Sequence, residues 1–215
     1  MASTAFAVVA GVGPGTGASV ARKFAAAYPV ALLARNPENY EFLVKEINEK
    51  GGKAIGISTD VSSSKSVKDA FSKIKEELGD VPCAAAVFNA SGRFVRKPIL
   101  EMSEEEFTAG YDVSCKGAFL FSQATLPLLL KHASDSESKY PPTLIFTGAT
   151  ASIKSNARMA SFSTGKYAMR ALSQSVARSS RRRACTLRMP SSTVSSTSPD
   201  EGVAEGSAAG GEDQR

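Results

Sequence analysis

The chain has 215 residues, of which 42% are hydrophobic and 22% are charged, a composition typical of one globular domain with or without a tail. This composition excludes collagen and wholesale disorder, and three widely spaced cysteines exclude a disulfide scaffold and a recognisable metal site. The net charge of +5 is too small and too scattered to predict binding to nucleic acid. No apolar run approaches the roughly 20 residues that cross a bilayer, and the N-terminus lacks a secretory signal. We therefore expect a cytoplasmic protein without a membrane partner.

Short apolar runs alternate with helical patterns up to residue 178. The runs are continuous rather than alternating, which is typical of parallel strands that are covered on both faces. Five such runs occur, at residues 5–10, 30–34, 54–57, 84–88 and 143–146. Ser103 and Glu106 form a capping-box pattern before a long helix that reaches about His132. This order predicts a doubly wound parallel sheet, a Rossmann-type three-layer sandwich in which ligands bind at the carboxyl ends of the strands.

The composition changes abruptly after Arg178. Residues 179–215 contain 8 serines and no Phe, Tyr or Trp, and their few larger apolar residues are isolated. Such a segment buries too little surface to offset the entropy of ordering it, so we expect a disordered tail. Residues 1–178 then form the single domain. No strand is evident directly after this domain.

A glycine-rich loop follows the first strand and precedes a helical pattern. Its glycines, Gly11, Gly13, Gly15 and Gly17, let backbone N–H groups approach a pyrophosphate, which the positive end of the helix then holds. Thr16 stands where G-x-G-x-x-G requires its third glycine, whereas the loop does fit G-x-x-x-G-x-G. We interpret the loop as a dinucleotide site, and a flexible turn without a ligand is the alternative.

Arg35 directly follows the second strand. An acidic residue at this point accepts hydrogen bonds from an adenosine ribose, whereas a cation favours a 2′-phosphate. Arg35 therefore predicts NADP rather than NAD as the coenzyme. The alternative is an exposed loop arginine without a ligand.

Two further motifs follow the next strands in order. T-D-V, with Asp60 and Val61, comes after the third strand, and N-A-S-G, which begins with Asn89 and Ala90, comes after the fourth. With the glycine loop, these motifs resemble the short-chain dehydrogenase/reductase family over residues 4–178. The resemblance implies that Asp60 lies at the adenine, that Val61 also binds the coenzyme, and that Asn89 and Ala90 lie on the ribose side. It also implies homo-oligomers formed through the long helices.

The catalytic motifs depart from the family pattern. The family's Y-x-x-x-K is represented by Phe162 and Lys166, so the lysine that binds the nicotinamide ribose is present and the phenol is not. Ser114 stands in place of an asparagine, and Ala149 in place of the substrate-polarising serine, with Thr150 adjacent. The catalytic residues that we predict are therefore Lys166, Ser114 and Thr150.

Carbonyl reduction needs a proton donor within hydrogen-bond reach of the developing alkoxide. Phe162 cannot donate, so Lys166, Thr150 or Ser163 would have to, and losing a general acid typically costs about 10²- to 10⁴-fold in rate. Tyr167, the nearest phenol, faces about 140° away from Phe162 on a helix, so we expect it to pack elsewhere. The expected function is an NADP-dependent oxidoreductase of a small carbonyl or alcohol substrate, with impaired activity. The alternatives are a non-catalytic dinucleotide-binding sensor or scaffold, and a structural fragment without a ligand.

The segment after Arg178 differs from the family, in which a glutamate-leucine start, a proline, a glycine and a sixth strand follow this helix. A one-base shift of the reading frame after Arg178 can restore E-L-A-P-P-G-V-H-V in that order. We hypothesise a deletion, a splice error or a misplaced exon boundary at this point. Compared with the family, the sheet would then lack its last two strands, and the chain would lack the loop that contacts nicotinamide and the lid over the substrate.

Overall fold

The computed structural model describes residues 5–134, 140–180 and 186–188. The strands are β1 (Phe6–Ala10), β2 (Val30–Ala34), β3 (Ala54–Ser58), β4 (Cys83–Phe88), β5 (Thr143–Phe146) and β6 (Thr186–Arg188). The helices are α1 (Thr16–Ala25), α2 (Glu41–Glu49), α3 (Ser64–Leu78), α4 (Glu104–Tyr111), α5 (Gly117–Ala133) and α6 (Ala160–Ser180). A π-helical turn over Asp112–Lys116 joins α4 to α5, and Thr150–Ser152 forms a 3₁₀ turn. The strands form one parallel sheet in the order β3-β2-β1-β4-β5-β6.

Helices cover both faces of this sheet. On one face, α1 and α2 bury Ala21 and Leu43 against the strands, and on the other face α5 and α6 bury Phe121 and Met169 beside α3. β1, β2 and β4 are buried along their whole length, which is why their sequences read as continuous apolar runs. The predicted doubly wound fold class is therefore confirmed. Because the strand order reverses between β1 and β4, a crevice opens at their carboxyl ends.

The predicted long helix is divided into α4 and α5 by the π turn. Its capping box is confirmed, since the N–H of Glu106 donates to Ser103 Oγ and the N–H of Ser103 donates to the Glu106 carboxylate, both at 3.2 Å. Within the described ranges, Glu104–Ala133 is the one helix of sufficient length and apolarity to cross a membrane. A core helix passes the same test, and Phe121 and Leu129 of this stretch are fully buried in the core.

One short strand follows residue 178, and the sequence did not predict it. α6 continues to Ser180, and Thr186–Arg188 forms β6, which pairs in parallel with β5. The free edge of a strand offers a row of N–H and C=O groups, so a short extended segment can pair with it without a long apolar run. The described part of the sheet therefore has six strands rather than five. The rest of the predicted tail, residues 181–185 and 189–215, lies outside the described residues.

Candidate active site

A cavity of about 230 Å³ opens at the carboxyl edge of the sheet. The segments that follow β1, β2, β3 and β4 all line it, together with Val113 from the π turn. Six residues predicted to bind a coenzyme meet there: Gly11, Arg35, Asp60, Val61, Asn89 and Ala90. Residues from four separate strand ends thus share one space, at the position where doubly wound sheets bind ligands.

The four glycines of the loop form two pairs with different roles. A Cβ atom on Gly11, where φ is +83°, would lie 2.3 Å from the backbone nitrogen of Ala90, and one on Gly17 would lie 2.8 Å from the carbonyl oxygen of Gly11. Gly13 and Gly15 have no atom within 4 Å of such a position, so this side of the loop is open. Gly15 is also the N-cap residue of α1, which has no side-chain cap. Uncapped N–H groups and the helix dipole favour an anion in such a place, so the loop fits a pyrophosphate.

Asn89 ties the glycine loop to the end of β4. Its Nδ2 donates to the carbonyl oxygen of Gly11 at 2.8 Å, and its backbone N–H donates to the carbonyl of Ala10 at 2.8 Å. From the β2 side, the N–H groups of Gly11 and Val12 donate to the carbonyl of Leu33 at 2.8 and 3.2 Å. Both neighbouring strands therefore hold the loop in place. This contact to the loop is a role of Asn89 that the sequence motif did not reveal.

Two side chains of opposite charge, Asp60 and Arg35, line the cavity. Asp60 Oδ1 accepts hydrogen bonds from the hydroxyl and the backbone N–H of Ser62, at 2.7 and 2.9 Å. The hydroxyl of Ser62 is the main cause that lowers the pKa of Asp60, and the positive charges of Arg35 and Lys116 act in the same direction. Asp60 is therefore a carboxylate at neutral pH, with its side chain oriented by Ser62 and with Arg35 nearby.

Lys166 lies at the same edge of the sheet, one strand further along. Its side chain is buried, with 3% of the residue exposed, and its Nζ donates to the carbonyl of Thr147 at 3.4 Å. The N–H of Thr147 in turn donates to the carbonyl of Phe88, the residue before Asn89. Nζ also stands 5.8 Å from the ring centroid of Phe162. Burial lowers the pKa of Lys166 to about 8.

Ser114 and Thr150 do not line the cavity. Ser114 is buried in the π turn, and a Cβ atom on Gly165 would lie 3.2 Å from its Cβ, so it packs against α6 directly before Lys166. Such π turns are frequent at functional sites. Thr150 is exposed at the start of the 3₁₀ turn. The carbonyl of Ala149 accepts a hydrogen bond from the hydroxyl of Ser152 at 2.7 Å. Within the described residues, Lys166 is therefore the predicted catalytic residue with the clearest chemical environment.

Phe94 is a site residue that the sequence did not reveal. Its ring packs edge-to-face on the ring of Phe162, with 5.2 Å between the centroids. Only the fold shows this pair, since nothing in the loop sequence around Phe94 points to α6. The expectation for Tyr167 is confirmed, because its hydroxyl donates to the carbonyl of Ile153 and its ring lies in a groove beside that residue.

The family model for short chain dehydrogenases matches residues 5–198. The chain belongs to the short-chain dehydrogenase family. The match extends past Arg178, where the motifs recognised in the sequence end. Members of this family are oxidoreductases that bind a nicotinamide dinucleotide, in agreement with the cavity beside the glycine loop.

This chain is similar to solved structures in fold and to other proteins in sequence. A short-chain dehydrogenase from Rhodopseudomonas palustris has a TM-score of 0.77 at 29% identity, over 87% of this chain and 84% of that one. A metagenomic short-chain oxidoreductase in complex with NADP also has a TM-score of 0.77, at 25% identity over 87% of this chain and 81% of that one. A short chain dehydrogenase of Pseudocercospora fijiensis is 30% identical over 131 residues, 60% of this chain and 41% of that protein. The chain spans about half the length of the curated relatives it matches.

Proposed function

We propose that this chain is an NADP-dependent oxidoreductase that interconverts a small carbonyl compound and its alcohol, with Lys166 as the proton donor and acceptor. The observation that carries the proposal is the buried amine of Lys166, one strand away from the cavity that the glycine loop borders. An amine with its pKa lowered to about 8 can both give and take a proton near neutral pH.

The cavity and the adjoining glycine loop fit the parts of a dinucleotide. Gly13 and Gly15 leave room for a pyrophosphate in front of α1, and Asp60 would lie at the adenosine end. The guanidinium of Arg35 supports NADP over NAD, since a cation beside the ribose favours a 2′-phosphate. A structural relative at 25% identity was solved in complex with NADP, which agrees with this choice.

Bound NADPH would supply the hydride for the carbonyl carbon and would be oxidised to NADP⁺. Nζ of Lys166 gives its proton to the carbonyl oxygen, so that the alcohol forms, and takes a proton back when the alcohol is oxidised. The face of Phe162 excludes water from one side of Nζ and attracts its positive charge. Because an amine replaces the family's phenol here, we expect turnover about 10²- to 10⁴-fold below that of an enzyme with the tyrosine.

The pH dependence of turnover tests the assignment of Lys166. Nζ is protonated below its pKa of about 8, so carbonyl reduction should fall as the pH rises through that value, and alcohol oxidation should rise. Lys166→Ala should abolish both directions, whereas Lys45→Ala on the exposed face of α2 should change neither. Turnover that survives Lys166→Ala with its pH profile intact would reject Lys166 as the proton donor.

A non-catalytic sensor of the coenzyme is the second candidate function. The observation that favours it is Phe162, a ring without a donor group next to Lys166, in a chain that keeps the coenzyme cavity. A sensor should bind NADPH and show no turnover on any carbonyl compound in a panel of aldehydes and ketones. NADPH-dependent reduction of any member of the panel, lost in Lys166→Ala, would decide for the enzyme.

A further inference from the structure

Two exposed loops meet outside Lys166. The first covers residues 92–98 after β4, and the second covers residues 153–158 before α6; we call them the entrance loops. The N–H of Lys97 donates to the carbonyl of Arg158 at 3.1 Å, which joins the two loops. Phe94 of the first loop packs on Phe162, and Phe162 packs on Lys166. This series runs from an exposed ring to a buried amine, so the entrance loops border the approach to Lys166.

The entrance loops and their flanks are positively charged. Residues 81–100 and 140–180 contain no Asp or Glu, whereas the loops carry five cations: Arg93, Arg96, Lys97, Lys154 and Arg158. Lys97 pairs with Glu106 at 2.5 Å, and Arg93 is close enough to lower the pKa of the same carboxyl group. Arg96, Lys154 and Arg158 form no ion pair with any acid in the described part of the chain. Their charge is therefore available to a ligand.

Arg158 has an unusual backbone conformation for a residue with a side chain. Its φ is +65°, in the left-handed region, and in the described residues no other residue except glycine has a positive φ. Residues in this conformation persist where the surroundings impose it, and they cluster at ligand-binding sites. The hydrogen bond from Lys97 holds the carbonyl of Arg158, so the two entrance loops fix each other.

We propose that this site takes an anionic carbonyl compound with an aromatic body, whose carboxylate or phosphate pairs with Arg96 and Arg158 while its body lies on Phe94 and Phe162. This inference rests on the proposed function, since it describes the substrate of the same site. Phe94 and the unpaired cations lie on one pair of joined loops, and Phe162 of α6 packs against Phe94, so one small molecule can meet the rings and the cations. A neutral analogue keeps the ring contacts and loses the ionic ones.

Calorimetric titration with 4-formylbenzoate and with its uncharged methyl ester tests the proposal. The two probes share the ring and the aldehyde and differ in the anion, and NADP⁺ in the cell prevents reduction. The full chain should bind the acid about five- to tenfold more tightly than the ester, because two exposed cations each contribute modestly. Equal affinity for acid and ester, or binding of neither, would overturn the proposal.

Matched variants assign the preference to the entrance loops. Arg96→Ala with Arg158→Ala should remove the preference for the acid and leave the ester within about twofold. Lys23→Ala with Lys73→Ala removes the same net charge from exposed positions on α1 and α3, and it should leave both affinities unchanged. Phe94→Ala should weaken acid and ester alike. An equal loss of acid binding in the control pair would show that net charge alone is responsible, which also overturns the proposal.

Titration of the same samples with NADPH separates this inference from the proposed function. A chain that binds NADPH but does not distinguish the acid from the ester leaves the oxidoreductase proposal standing and removes the substrate class. A folded chain that distinguishes the acid from the ester without binding NADPH keeps the anion site and removes the oxidoreductase. Circular dichroism of each variant confirms that it is folded.

Discussion

The molecule has a coenzyme half, residues 5–91, and a catalytic half, residues 92–180. The site in the coenzyme half is built mainly by backbone atoms, and the site in the catalytic half by side-chain groups. In the coenzyme half, the geometry comes from backbone atoms and from the missing side chains of Gly11 and Gly17, with Asn89 as a clamp. In the catalytic half, the chemistry depends on side-chain groups, and there Phe162 and Ala149 stand where the family resemblance implies hydroxyls. The glycine loop thus keeps the geometry expected of a dinucleotide site, although the hydroxyls implied for the catalytic half are replaced.

Restoring the missing hydroxyl to the catalytic half is expected to have the largest effect, which is on kcat. Phe162→Tyr adds a phenol to a ring whose centroid lies 5.8 Å from Nζ of Lys166, and we expect kcat to rise by about 10²- to 10⁴-fold. Steady-state kinetics with NADPH and an aldehyde measure the change. Phe94→Tyr adds the same hydroxyl to the outer ring of the pair and should raise kcat little. An equal rise of kcat in both variants, or no rise in Phe162→Tyr, would contradict the claim that the catalytic half lacks a hydroxyl at position 162 in particular.

The second effect concerns the backbone contacts of the coenzyme half. Gly11→Ala should lower the free energy of unfolding by about 3 kcal/mol or more, because its Cβ would lie 2.3 Å from the backbone of Ala90. Urea denaturation measures the loss. Gly51→Ala is a matched control, since its φ of +82° carries similar strain with no atom within 4 Å. The control should lose only about 1 kcal/mol. A similar loss in both variants would show that the loop is not in contact with the end of β4.

A third effect has opposite signs for stability and activity. Lys166→Met removes a buried charge, so at pH 7 we expect the free energy of unfolding to rise by about 1 to 3 kcal/mol while turnover is lost. Burial lowers the folded-state pKa from 10.5 to about 8, so the wild type binds fewer protons folded than unfolded between these values. Its stability should therefore rise with pH across that window, and the rise should be absent in Lys166→Met. Urea titrations at several pH values test this, with exposed Lys154→Met as the control. Wild-type stability that is flat across the window would contradict it.

The smallest effect concerns the choice of coenzyme. Arg35→Ala should weaken NADPH binding by about tenfold and change NADH binding by less than about twofold, because only NADPH carries the 2′-phosphate. Fluorescence titration of the two reduced coenzymes measures both values. Lys23→Ala, an exposed cation in the last turn of α1, provides the control. An equal loss of affinity for NADPH and NADH would mean that Arg35 does not contact the 2′-phosphate.

The sequence predicted the coenzyme half better than the catalytic half, for a physical reason. Buried parallel strands need continuous apolar runs, and a loop that must pass close to another backbone needs glycine, so both leave local marks in the sequence. The contact between Phe94 and Phe162 joins residues from distant segments, and no local pattern encodes it. β6 escaped prediction because three residues that pair through backbone atoms need no particular composition.

Calorimetric titration of the full chain with NADPH tests the central claim most directly, namely that the glycine loop and the cavity at the carboxyl ends of the strands hold a dinucleotide. We predict one-to-one binding with a Kd of about 100 µM or tighter, lost in Gly11→Ala and retained in Gly51→Ala. A folded wild-type chain that releases no heat of binding at millimolar NADPH would contradict the claim.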